Sequence, residues 1–145
     1  MNATIETGTR LDRKILLSTL WIFATVNYIF CDVVSSMETE TLRGFMAGQI
    51  GNLHITQGFL LGASIMMEIP FAMILCARIL SYRINRWANI SAGVIMSAIQ
   101  IASLFAGTAP TLHYIFFSAV EIASTLSIVW FAWSWVRPEA SLSHQ

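Results

Sequence analysis

Three carboxyl side chains stand in long apolar runs. Glu68 lies within 55–80, Glu121 within 113–136, and Asp32 near the far end of 15–36. No Lys or Arg occurs at their depth to pair with them. A carboxyl in such surroundings must be protonated, hold a cation or reach water, because desolvating its charge without a partner is prohibitive. The chemistry open to it is proton exchange or the binding of a cationic or protonatable small molecule.

The polar residues around these acids are spaced as helix faces. Ser18, Trp21, Thr25, Tyr28, Asp32 and Ser35 recur at intervals of three and four, so they share one side of a helix. Gln57, Ser64 and Glu68 form a second stripe, Asn89, Gly93, Met96, Gln100 and Ser103 a third, and Tyr114, Ser118, Glu121 and Thr125 a fourth. Lipid cannot satisfy hydrogen-bonding groups, so all four stripes are expected to turn inward. At about 1.5 Å per residue, Glu68, Gln100 and Asn27 fall near the midplane, Glu121 about a third of the way in, and Asp32 at the outer boundary. The expected ligand- or proton-binding set is Glu68 at the centre, Glu121 beside it, Gln100, Asn27 and Gln57 as polar neighbours, and Tyr28 and Asp32 at the entrance.

Two features of the second run bear on movement and assembly. Pro70 follows Glu68 by two residues and removes one backbone hydrogen bond, which marks a candidate kink or hinge beside the acid. Gly58 and Gly62 form G-x-x-x-G, which allows close backbone approach and a homo-oligomer contact.

Other chemistries find no support. His54, His113 and His144 have no metal-ligand spacing, and no C-x-x-C, phosphate-cradling loop or hydrolase triad order is present, so neither metal nor cofactor is expected. Cys31 and Cys76 are placed at opposite ends of the bilayer, too far apart for a disulfide.

The elements that must carry these stripes follow from composition. Of 145 residues, 56% are hydrophobic and 11% charged, with a mean hydropathy of +0.66. A soluble domain carries about 25% charged residues. Four spans are expected, at 15–36, 55–80, 87–106 and 113–136, and the length between them leaves no soluble catalytic domain. The first run resembles a signal peptide in following Arg10, Arg13 and Lys14, but its length, Asn27, Asp32 and the lack of an A-x-A site favour a retained anchor. Formal net charge is zero, so nothing points to a nucleic-acid partner.

Seven of the eight bases fall on one side of a four-span chain, and only Arg43 lies opposite. The positive-inside rule therefore places both termini in the cytoplasm. The outer segment 37–54 alternates Glu38, Glu40 and Arg43 with Leu42, Phe45 and Met46, which predicts a short surface-lying amphipathic helix before a turn at Gly48 and Gly51.

The segments Ala47-Gly48-Gln49-Ile50-Gly51, Ile55-Thr56-Gln57-Gly58-Phe59-Leu60-Leu61, Met67-Glu68-Ile69-Pro70, Asn85-Arg86-Trp87-Ala88-Asn89-Ile90, Val120-Glu121-Ile122 and Trp130-Phe131-Ala132-Trp133 carry a resemblance. The chain resembles a family of small bacterial four-span membrane proteins known only as a domain of unknown function. That likeness implies a four-helix fold in a bacterial cytoplasmic membrane and implies no activity.

The expected fold is an all-α integral membrane protein, an antiparallel four-helix transmembrane bundle forming a single domain over 1–145. Its expected function is binding or transport of a proton or a cationic small molecule in an acid-lined cavity within the lipid bilayer. One alternative is a structural or accessory protein whose protonated acids hydrogen-bond across helices. Another is an intramembrane enzyme acting on a lipid or isoprenoid through Glu68 and Glu121.

Overall fold

The computed structural model describes residues 12–106 and 109–135. Five helices make up nearly all of it: α1 (Arg13–Ser36), α2 (Thr39–Ala47), α3 (Gln57–Ile79), α4 (Tyr82–Ser103) and α5 (Leu112–Trp133). Between α2 and α3, the two-residue strands β1 (Gln49–Ile50) and β2 (Leu53–His54) pair antiparallel, with Gln49 opposite His54 and Ile50 opposite Leu53. Three helices, α1, α3 and α5, are long and apolar enough to cross a membrane.

Local signals set the helix ends. The Asp12 side chain accepts from the Lys14 N–H at the start of α1, and Thr56 does the same for the Phe59 N–H at the start of α3. The expected amphipathic helix in 37–54 is α2. It stops at Gly48, whose φ of 70° is left-handed and lets its N–H reach the carbonyls of Gly44 and Phe45. The tight hairpin that follows was not anticipated beyond a glycine-rich turn.

α4 begins at Tyr82, ahead of the expected residue 87, and ends at Ser103 rather than 106. The bases Arg83 and Arg86 made this stretch read as a loop. The helix nonetheless continues there because Asn85, fully buried, donates from Nδ2 to the Ala77 carbonyl at 2.6 Å and ties the new turn to α3.

α5 packs between α1 and α4, and α3 lies on the other flank of α1. At one end a ring of bases holds the bundle together. Lys14 Nζ donates to the carbonyls of Leu80 (2.8 Å) and Arg78, while Arg13 and Arg86 reach those of Phe131 and Trp133. These are the C-terminal carbonyls of α3 and α5, which lack intrahelical donors and carry the negative end of the helix dipole. Tyr82 donates to the Trp135 carbonyl beside them.

Gly93 sets the spacing of α4 and α5. A Cβ there would come within 2.7 Å of Val129 Cγ2 and 3.2 Å of the Thr125 carbonyl, so only glycine allows the approach seen. Toward the opposite end α3 is mostly exposed, although Phe59 lines the same cleft as Asp32 and Tyr114. Its buried residues are Pro70, Met73 and Ala77, and Gln57 to Gly62 are all exposed.

Candidate functional site

α1, α4 and α5 each present a polar stripe to the same interior. Ser18, Trp21, Thr25 and Tyr28 of α1 are buried, as are Asn89, Gly93, Met96 and Gln100 of α4 and Ser118, Glu121 and Thr125 of α5. Three of the four expected stripes therefore point inward.

The interior polar groups are arranged in layers. Nearest the basic end, Trp21 Nε1 donates to Asn89 Oδ1 at 2.8 Å, and Asn89 Nδ2 donates to Asn85 Oδ1 at 2.6 Å. Asn85 was missed by the sequence reading, although its i,i+4 spacing to Asn89 was a usable signal. In the next layer the hydroxyls of Ser97 and Thr125 share a hydrogen bond of 2.7 Å. Farther from the basic end, Gln100 Nε2 donates to Ser118 Oγ at 2.8 Å, and Tyr114 donates to Ser103 Oγ at 2.7 Å. Each of these groups is paired, as buried polar groups must be.

Glu121 breaks that pattern. It stands near the middle of α5, its side chain is 1% exposed, and neither carboxyl oxygen has a hydrogen-bond partner among the described residues. Tyr28, at 5% exposure on α1, has a hydroxyl in the same condition. Glu121 and Asp32 are within electrostatic reach of each other, and Tyr28, Cys31 and Tyr114 share that neighbourhood.

Above this group a cleft of about 290 Å³ opens at the end away from the bases. Asp32, Ser35, Ser103 and Tyr114 line it, together with Glu38, Thr41 and Phe45 from α2 and its start, and Ile50 and Leu53 from the hairpin. α2 and the hairpin thus form its wall. Asp32 is exposed there, at the mouth where it was expected.

The remaining expected residues are placed elsewhere. Glu68 is exposed in the middle of α3, Gln57 is exposed at that helix's start, and Ser64 donates to its own backbone at Leu60. Asn27 is half-buried and donates to the Phe23 carbonyl of its own helix. Gln100 is interior but lies in the last turn of α4, not at its centre. Tyr28, Asp32, Gln100 and Glu121 therefore gather on the α1/α4/α5 side, whereas Glu68, Gln57 and Asn27 do not join them. α3 turns its other face inward because Ala63, Met67, Pro70, Met73 and Ala77 fit against α1 better than a stripe holding Glu68. α3 runs without interruption through the buried Pro70.

Cys31 and Cys76 are both free thiols. Among the described residues no group of three His, Cys, Asp or Glu side chains could hold a metal ion. His113 instead shares polar contacts with Ser35 and Thr111 at the start of α5.

The architecture defines a small helical protein in which three helices are long and apolar enough to cross a membrane, with a polar interior containing one unpaired acid. The chain belongs to a family of unknown function, DUF6326, whose sequence pattern covers residues 8–141. No curated protein and no solved structure matches it.

Proposed function

We propose that the chain crosses a bacterial cytoplasmic membrane four times, with α4 as the additional span and both termini cytoplasmic, and that it binds or transports a proton or a small cationic or protonatable molecule at Glu121. The single observation that carries this reading is the buried Glu121 carboxyl with two unpartnered oxygens facing a neighbourhood that includes the unpartnered Tyr28 hydroxyl.

Support for α4 as a span comes from where its polar groups point. Asn85, Asn89, Ser97 and Gln100 are buried, while Ile84, Trp87, Val94, Ile95 and Ile101 are exposed. Averaging over the helix understates how apolar its outer surface is. The bases Arg13, Lys14, Arg78, Arg83 and Arg86 cluster at one end and Arg43 lies at the other, which favours cytoplasmic termini. The bacterial setting is carried by the resemblance alone.

The accessory-protein reading expects carboxyls that hydrogen-bond across helices. Glu121 makes no such bond, and an acid left unpaired beside the equally unpaired Tyr28 hydroxyl is better explained by a partner that comes and goes. In this scheme Asp32 at the cleft attracts the cation, Tyr28 and Glu121 receive it, and Gln100 with Ser118 holds the adjoining helices in register. Reconstitution into liposomes tests it. Wild type is expected to dissipate a pH or organic-cation gradient, Glu121→Gln to lose that activity while folding normally, and Glu68→Gln to keep it. Equal flux in wild type and Glu121→Gln would remove the proposal.

A further inference from the structure

We infer that the exposed face of α3 is the contact surface for a second copy of this chain, with Glu68 at its centre. The inference goes beyond the binding role of Glu121 and shares with it only the reading of α3 as a membrane span.

Gln57, Leu61, Ser64, Glu68, Phe71 and Leu75 are all exposed, and their spacing is four, three, four, three, four. That is the 3.5-residue repeat along which two helices pack side by side over several turns. The same helix buries its opposite face within the chain, through Pro70, Met73 and Ala77. Leu61 and Leu75 are 63% and 67% exposed, so the chain itself covers little of this seam.

An exposed apolar helix face in lipid calls for no explanation, but this one is not apolar. Glu68 lies at the middle of a 23-residue helix, and Gln57 and Ser64 share its side. The single ion pair among the described residues joins Arg43 and Glu40, so no base neutralises Glu68. Lipid offers such groups nothing, whereas a protein partner does.

A second copy fits because the seam is self-complementary. A glutamine amide and a protonated carboxyl each both donate and accept hydrogen bonds. Two chains inserted with the same orientation and related by a two-fold axis along the membrane normal bring their α3 helices together in parallel. Gln57 and Glu68 then each meet their own counterpart at the same depth, and both pairs are matched at once, while Ser64 keeps its bond to the Leu60 carbonyl. A partner that offered one base to Glu68 would leave Gln57 without a matching group.

Gly58 leaves room for the approach. Gly58 lies on one flank of the seam, a little over a quarter of a turn from its centre line, and Gly62 lies farther round, toward the side of Met73. A Cβ at Gly62 would meet nothing within 4 Å, and one at Gly58 only the neighbouring Thr56 hydroxyl. Space beside the seam is therefore open to a neighbouring helix.

The test uses the full chain in lipid nanodiscs with Cys31 and Cys76 replaced by Ser, bearing single cysteines along α3. Disulfide-linked dimers are expected for Leu61→Cys, Ser64→Cys and Leu75→Cys, and not for Met73→Cys or Ala77→Cys on the opposite, buried face. In otherwise wild-type protein, Glu68→Gln is expected to keep the dimer, and Glu68→Lys to weaken association at least tenfold by opposing like charges. A wild-type chain that stays monomeric by light scattering overturns the inference, as do crosslinks without the seam's periodicity or crosslinks only to a different protein in native membranes. Dimer loss with gradient dissipation intact would leave the role of Glu121 standing, and the reverse pattern would leave the dimer standing.

Discussion

Two acids of similar sequence setting end in opposite surroundings. Glu121 follows Ser118 on a stripe that α5 buries against α1 and α4, and it is almost wholly enclosed. Glu68 follows Ser64 on a stripe that α3 turns away from the chain. The difference lies in what else each helix offers. α5 places Ser118 and Thr125 where Gln100 and Ser97 of α4 answer them, whereas α3 has a second face of small and apolar residues that packs on α1 without any polar side chain to satisfy. A polar stripe at helical spacing thus marks a surface that needs a partner, and the partner need not belong to the same chain.

The widest gap between the two regions should appear in packing. Trp21→Ala removes a fully buried ring and strands Asn89 Oδ1, so it should destabilise the chain by about 3–5 kcal/mol. Leu75→Ala on the exposed face should change monomer stability by less than about 0.5 kcal/mol. Unfolding in detergent at concentrations too low for association measures both, and similar losses would erase the contrast.

The glycines provide a matched pair. Gly93→Ala pushes a methyl against Val129 and the Thr125 backbone and should cost about 1–3 kcal/mol. Gly62→Ala meets open space and should leave monomer stability unchanged or slightly raised, because alanine is the better helix former. A smaller loss at Gly93 than at Gly62 would show that α4 and α5 are not in close contact.

The acids themselves separate the regions in the opposite sense. Glu121→Met replaces an unsatisfied buried carboxyl by an apolar side chain of similar length, and it should stabilise the protein by about 1 kcal/mol or more. Glu68→Met should have little effect on the monomer and act on association instead. A marked destabilisation by Glu121→Met would mean that the carboxyl already has a structural partner.

Much of this was legible in the sequence. Ser18, Trp21, Thr25 and Tyr28, and likewise Ser118, Glu121 and Thr125, repeat with the period of a helix face and are buried together as that period requires. The amphipathic pattern of 37–54 announced α2, and Gly48 its end. The inward set was misjudged at α3 because periodicity identifies a face without saying which of two competing faces a helix will bury. Asn27 was placed inside by depth alone, yet its position on α1 lets it bond only to its own turn at Phe23. Asn85 was passed over because the neighbouring Arg83 and Arg86 gave the stretch the look of a loop.

The most direct measurement of the central claim is infrared difference spectroscopy of the reconstituted chain while a small organic cation or acid is added. A carboxyl band that responds to the addition in wild type and in Glu68→Gln, and is missing in Glu121→Gln, is the predicted result. A response that survives in Glu121→Gln, or one that disappears in Glu68→Gln, would contradict the assignment of the site to Glu121.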